Sequence, residues 1–253
     1  MKNFVIQLAK QAGSEIKNLF NHDKIVKVKA QSQIVTRADL IANKTIISAL
    51  KKKFPNHGIL SEESGLSKIN SDYLWVVDPI DGTTNYWIGS PLFAVSIALF
   101  KNSQPILAVV YAPAMNELFL AQAGQGVQLN NKRIQVSKSN KLADSFLTFC
   151  HGSTKPDIRR AMKIYNKIKL NSLDSRQLGS AAIELGFVAA GRTECIMIPG
   201  ANSWDVGAGV LLVREAGGKV TNFSGQEWNL NSKDMVASNG RIHNQLIKFL
   251  KDV

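Results

Sequence analysis

The stretch Trp75–Tyr86, WVVDPIDGTTNY, constrains this chain more than any other. Its apolar start has strand character, and it leads into two carboxylates, Asp78 and Asp81. Between them Pro79 fixes φ and lacks an N–H, and Gly82 lets a ligand approach the backbone closely. The expected local structure is a strand delivering acids into a turn, with a short helix starting at Thr83. Hard divalent cations need clustered oxygen ligands. Phosphate needs free backbone N–H groups, which a helix N-terminus offers with a favourable dipole. The string brings both to one place, and an ordinary Asp-Gly turn requires neither the second acid nor the hydroxyls of Thr83 and Thr84.

A chain of 253 residues is long enough to bury a substantial core, as one large domain or two intimate halves. Its 45% hydrophobic and 20% charged content is that of a globular protein. No apolar run approaches the roughly 20 residues of a membrane span. Phe4, Ile6, Leu8, Ala12, Ile16 and Leu19 have amphipathic-helix spacing rather than the compact block of an export signal, so a cytoplasmic protein is expected. Cys150 and Cys195 offer neither a disulfide framework nor metal-ligand spacing. His151 follows Cys150, but strand neighbours point to opposite faces, which argues against a catalytic pair. His22, His57 and His243 are scattered and expected to be structural or exposed. The net charge of +12 raises the question of nucleic acid. No nucleic-acid module surrounds the dense group from Lys155 through Arg159, Arg160, Lys163, Lys167 and Lys169 to Arg176, so a solvated basic helix face is expected. A basic exterior also steers anions toward a cleft.

Helix and strand signals alternate without a linker or repeat. Helices are expected over residues 2–20, from a Thr36 cap to about Lys53, over Pro156–Ile168, Ser180–Ala190 and Trp204–Ala216, and from about Arg241. Strands are expected at Val26–Lys29, Gly58–Ser61, Tyr73–Asp78, Phe93–Phe100, Ile106–Tyr111, Glu117–Ala121, Phe146–Cys150, Thr193–Met197, Val220 and Met235–Ser238. Antiparallel strands first and strand–helix alternation later suggest two α/β halves meeting near residue 140, with a ligand cleft between them.

Further acids follow short apolar segments: Asp39 in VTRAD, Glu62 and Glu63 in ILSEES, and Asp205 in NSWDVGAG. Each alone fits a helix start or a solvated loop. In order, with DPIDGTTN, they resemble the inositol monophosphatase family, a branch of the lithium-sensitive, Mg²⁺-dependent phosphatases, its bacterial extragenic suppressor members above all. The resemblance covers nearly the whole chain, including Gly179–Ala182 and LLVREAGG at Leu211–Gly218. It implies an α/β (α+β) fold, a layered αβαβα sandwich forming one domain over 1–253, with an α+β half to about 140 and an α/β half from about 141. It also implies a homodimer.

By position, the resemblance makes Glu62, Asp78, Asp81, Asp205 and the carbonyl of Ile80 metal ligands for two or three Mg²⁺, with Mn²⁺ a possible substitute. Glu62, Asp81 and Thr83 become catalytic, with Glu62 and Thr83 positioning the attacking water. Asp81, Gly82, Thr83, Gly179, Ser180, Ala181 and Asp205 become substrate contacts; Asp39 lies near an outermost metal, and Lys29 matches a loop lysine only with a gap. The implied reaction is hydrolysis of a small phosphorylated polyol or sugar, first among them myo-inositol 1-phosphate, by direct attack of water. No Cys, His or Ser nucleophile stands out for a covalent route.

The pattern departs from the family in two places. Ile198 occupies the position, seven residues before Asp205, where inositol-specific members carry a glutamate, and Gln33-Ile34 replaces an aspartate before VT. Isoleucine cannot accept hydrogen bonds from ring hydroxyls, which puts inositol as the preferred substrate in doubt. Fructose-1,6-bisphosphate, nucleotide 3′-phosphates and histidinol phosphate are the enzymatic alternatives. Some bacterial relatives bind the transcription machinery, so RNA polymerase stands as a non-catalytic alternative partner.

Overall fold

The computed structural model describes residues 1–22, 25–28, 34–67 and 71–251. Helix α1 (Lys2–Leu19) is followed by an antiparallel pair, β1 (Ile25–Val28) and β2 (Ile34–Thr36), and then by α2 (Arg37–Lys53). Thr36 and Asp39 form a reciprocal capping box, each side chain accepting from the other's backbone N–H. Lys51, Lys52 and Lys53 close α2 against the negative end of its dipole.

The larger sheet comprises β3 (Gly58–Ser61), β4 (Gly65–Ser67), β5 (Tyr73–Asp81), β6 (Ala94–Lys101), β7 (Gln104–Ala112), β8 (Glu117–Gln122), β9 (Gly126–Leu129) and β10 (Lys132–Arg133), with helix α3 (Thr83–Trp87) directly after β5. Its order is β10-β9-β8-β7-β6-β5-β3-β4, antiparallel throughout except for the parallel pair β3 and β5. The second half runs β11 (Phe146–Phe149), α4 (Lys155–Lys169), β12 (Asp174–Arg176), α5 (Ala181–Ala189), β13 (Cys195–Pro199), α6 (Ser203–Glu215), β14 (Lys219–Thr221), β15 (Asp234–Ser238) and α7 (His243–Leu250). Its sheet order is β12-β11-β13-β15-β14, with β12, β11 and β13 parallel.

Alternation along the strands assembles the layers. Trp75 and Val77 of β5 join Ile97 and Leu99 in a core closed by Val5 and Ile16 of α1 and Ile46 of α2. Val76, between them, faces the other way with Ala98, Phe100 and Val110, onto Leu185 of α5 and Val210 and Leu211 of α6. The second sheet covers those same helices with Ile196, Ile198 and Ala237. Its alternate residues Leu147, Cys195, Met197 and Val236 meet Ile164 and Ile168 of α4 and Leu246 of α7. The result is the expected αβαβα sandwich. Helices α5 and α6 are buried nearly all round, as their small and apolar composition requires. Gly209 permits their close approach: a Cβ there would lie 2.3 Å from Leu185 Cδ1. The change of sheet falls between Arg133 and Phe146.

Most element predictions land within two residues, but five short strands, β2, β4, β9, β10 and β12, have no counterpart in the sequence reading. The last helix starts at His243, and the first predicted strand ends at Val28, with Lys29 outside the described residues. The basic group is exposed at Lys155, Arg159, Lys163, Lys169 and Arg176, as expected, with Arg160 and Lys167 half-buried, and several of its members carry partners. Arg160 makes two 2.8 Å bonds to Asp234, Lys167 donates to the Phe249 carbonyl at 2.9 Å, and Arg176 pairs with Asp174 at 2.6 Å. Among the described residues no helix is long and apolar enough to cross a membrane.

Candidate metal centre

Strand direction brings the first two acids together. Because β3 and β5 run parallel, Glu62, one residue beyond β3, emerges at the same end as Asp78, and its N–H donates to the Val77 carbonyl at 3.2 Å. The pairing of β5 with β6 shifts register between Asp78 and Asp81, a bulge around Pro79, whose missing N–H makes regular pairing impossible there. The Asp78 carboxylate accepts from the Ile80 N–H at 3.0 Å, bending the backbone into the turn. Asp205 enters from the first turn of α6, steadied by the Asn202 amide at 3.1 Å. Glu62, Asp78 and Asp205 thereby each offer an oxygen within 4.8 Å of the others.

Asp81 is held from the second half of the chain. The Ser180 hydroxyl donates to its carboxylate, and so does the Ala182 N–H at 2.9 Å. Thr83 links the turn to α2, its hydroxyl lying 2.9 Å from the Ile80 carbonyl and 3.1 Å from the Asp39 carboxylate. Its single proton serves one of these acceptors at a time.

The acids repel one another. Burial, then the charges of Glu62, Asp81 and Asp205, holds Asp78 well above the usual carboxylate range. Loss of hydration, then the charges of Asp81 and Glu62, does the same to Asp205. Burial pushes Asp81 up to about 7 against its bonds from Ser180 and Ala182, and Asp39 up to about 6 against its bonds from Thr36. Among the described residues, no lysine or arginine lines the surrounding cleft of about 500 Å³. Oxygen-only donors fit a hard cation better than zinc, which favours nitrogen and sulfur. Opposite ligands on one Mg²⁺ sit about 4.2 Å apart, so oxygens this close need only side-chain adjustment to share an ion.

The structure separates the remaining candidates. Ile80, Gly82, Thr83, Gly179 and Ala181 line the cleft with the acids. Ser180 is buried and spends its hydroxyl on Asp81 and on capping α5. Asp39 bonds to Thr36 and Thr83, outside the cluster of three. Lys29 lies outside the described residues. The alternation argument does not reach Cys150 and His151, which both line the cleft because β11 ends at Phe149. They do not pair, since the Cys150 thiol donates to Glu184 at 2.9 Å while His151 Nδ1 sits 2.8 Å from the Gly152 carbonyl. Asn85, Gln177 and Glu184 were not singled out in the sequence; only Asn85, inside the DGTTN string, had a positional signal. Glu194, the nearest acid to Ile198 along the chain, accepts the Phe146 N–H at 2.6 Å and holds β11 in place.

Gly82 is needed for shape. Its φ is +88°, and a Cβ would lie 2.8 Å from the Leu92 carbonyl oxygen and 3.2 Å from Ser180 Cβ. Gly82→Ala is expected to cost about 1–3 kcal/mol, read as a lower urea midpoint. An unchanged midpoint would mean the turn relaxes freely.

The sequence profile of the inositol monophosphatase family matches residues 1–253. The chain is 38% identical to "Fructose-1,6-bisphosphatase/inositol-1-monophosphatase" of Thermotoga maritima, over 91% of this chain and 88% of that protein. It is 39% identical to Nus factor SuhB of Escherichia coli (strain K12), over 100% and 96%. The solved structure of a Thermotoga maritima IMPase superimposes with a TM-score of 0.92 at 35% identity, covering 99% of this chain and 96% of that one.

Proposed function

The chain belongs to the inositol monophosphatase family, and we propose that it is a Mg²⁺-dependent phosphomonoesterase whose ion ligands are Glu62, Asp78, Asp81, Asp205 and the Ile80 carbonyl. The observation that carries the proposal is the meeting of three acid oxygens from separate elements, within 4.8 Å, in a cleft lined by no lysine or arginine among the described residues. Bound there, Mg²⁺ supplies neutralisation of the phosphate, acidification of a coordinated water and charge stabilisation at the leaving oxygen. Glu62 and the Thr83 hydroxyl orient the attacking water, and Thr83 passes a proton on to the Asp39 carboxylate, 3.1 Å from its hydroxyl. Gly82 and the first-turn amides of α3 face phosphate oxygens, having no earlier helical turn to bond. Cleft residues Gly179, Ala181 and Ile198 border the alcohol part of the ester. Mn²⁺ substitutes for Mg²⁺ as another hard cation, and lithium inhibits by competing at one metal position. The active form is a cytoplasmic homodimer.

The first substrate is myo-inositol 1-phosphate; fructose-1,6-bisphosphate and nucleotide 3′-phosphates are the alternatives, the former supported by the double name of the Thermotoga maritima relative. A phosphate-release screen over these esters and histidinol phosphate, with and without Mg²⁺, tests the proposal. Mg²⁺-dependent release from at least one supports it, and silence from all rejects it. Ile198→Glu adds one acceptor where ring hydroxyls would lie, a hydrogen bond of about 1–1.5 kcal/mol. The variant is expected to shift kcat/KM toward inositol 1-phosphate over p-nitrophenyl phosphate by about tenfold; an unmoved ratio means the alcohol does not reach Ile198. A second reading, partnership with the transcription machinery including RNA polymerase, is supported by the Nus factor relative. Pull-down of polymerase by a protein inactive on every ester would favour it.

A further inference from the structure

Glu184 is a wholly buried acid in α5, among small and apolar neighbours. Its Oε1 accepts the N–H of Leu178 at 3.1 Å, the N–H of Gly179 at 3.0 Å and the Cys150 thiol at 2.9 Å. From the other half of the chain, the Asn85 amide donates to the Leu178 carbonyl at 2.7 Å and to the Leu92 carbonyl at 2.8 Å. The Leu178 carbonyl and the Gly179 N–H belong to one planar peptide unit. That unit is therefore gripped at both edges, by Asn85 beside the acid-bearing turn and by Glu184 behind the cleft wall. Gly179 follows at φ +80°, its Cβ position 3.1 Å from the Asn85 amide nitrogen, and its carbonyl oxygen lies 3.3 Å from the Cβ position of Gly82. The next residue, Ser180, donates to Asp81. Burying a carboxyl group is costly, and an apolar side chain in this setting is often as stable or more so. An acid kept at that cost, on a peptide that touches the cleft, points to positioning rather than packing.

We propose that Asn85 and Glu184 are paired positioning residues for the phosphate-ester hydrolysis argued above, on which this inference rests, acting through the Leu178–Gly179 peptide to hold the cleft wall against the Asp81–Thr84 turn. Neither side chain performs chemistry. The test uses the full chain with Asn85→Ala, Glu184→Leu, their combination and Glu184→Gln, which keeps one acceptor oxygen. Amide hydrogen exchange over residues 177–181 is read first, because it needs no turnover. Exchange is expected to rise about tenfold or more in Asn85→Ala and Glu184→Leu, and to return most of the way in Glu184→Gln. Kinetics with the best ester of the screen follow. Each disrupting variant is expected to lower kcat/KM about 10- to 100-fold, and the double variant little further, because both act on one peptide. The Mg²⁺-induced thermal shift persists in every variant. Unchanged exchange in Asn85→Ala overturns the clamp, and this variant alone decides if Glu184→Leu fails to fold. Losses that multiply in the double variant overturn the pairing. A wild-type protein with normal exchange that hydrolyses no ester overturns the phosphatase reading instead, and with it the catalytic use of the clamp.

Discussion

Glu62→Gln and Asp81→Asn are each expected to lower kcat/KM by about 10³-fold or more while the fold survives. Either change replaces an anionic oxygen with a neutral one in almost unchanged shape. The reaction loses part of the charge stabilisation that divalent cations supply, several kcal/mol in such sites, and each 1.36 kcal/mol is a factor of ten. The fold survives because neither acid is a packing residue. Glu62 sits in a partly exposed turn, and the carbonyl of an asparagine at position 81 still accepts the Ala182 N–H that the aspartate accepts at 2.9 Å. Initial rates of phosphate release across a Mg²⁺ titration, with circular dichroism and a urea midpoint, separate the two effects. Turnover near the wild-type rate in either variant would refute the ligand assignment. Normal binding of Mg²⁺ with no turnover would move that residue from ligand to water-orienting group.

The acids' places at the ends of elements were legible because each sits where a local rule operates, whereas their joint use came only from the resemblance of their order to the family's. Asp78 and Asp81 end an apolar strand at a proline-glycine turn, Glu62 follows another strand, and Asp205 lies in the first turn of an apolar helix. The cap at Thr36 was equally local, fixed by a hydroxyl and the N–H three residues on. What lay beyond reach depends on partners distant in the chain. Nothing in AAIELG distinguishes Glu184 from a solvated helix acid until the Cys150 thiol, one residue beyond β11, donates to it at 2.9 Å. Ser180 is a reasonable substrate contact until Asp81 claims its hydroxyl. Strands β4, β9, β10 and β12, of two to four residues, are too short to carry a period of two and exist because the sheet edge offers them pairing. Cys150 and His151 share a cleft because the strand stops one residue before them, a boundary that residue pattern fixes poorly.

The metal-free protein is expected to lose stability as pH rises from about 4 to about 7, and a divalent cation to restore it most strongly at the upper end. The unfolded aspartate titrates near 3.9, whereas Asp81 in the fold is pushed up to about 7, chiefly by burial. Between those values the folded protein binds more protons than the unfolded chain, so its stability falls with rising pH. For Asp81 alone the loss is on the order of 4 kcal/mol, and Asp78 and Asp205 move in the same direction. His243 opposes the trend over most of that range: burial lowers it to about 4, so the folded state gains stability as pH rises from there to the free-imidazole value of 6.5. Asp78→Asn isolates the acid contribution, because it removes one charge from the cluster and leaves His243 untouched. In a chain of this size, 1 kcal/mol is worth about 2–4 °C. Without metal at pH 8, the variant should therefore melt above the wild type, with a flatter pH profile. Mg²⁺ should raise the wild-type melting temperature at pH 8 far more than at pH 5, where protons already occupy the cage, and should leave Asp78→Asn almost unmoved. Parallel melting curves for the two proteins from pH 5 to pH 8, or an equal Mg²⁺ shift in both, would mean that these carboxylates are not strained by their own repulsion and do not converge on an ion.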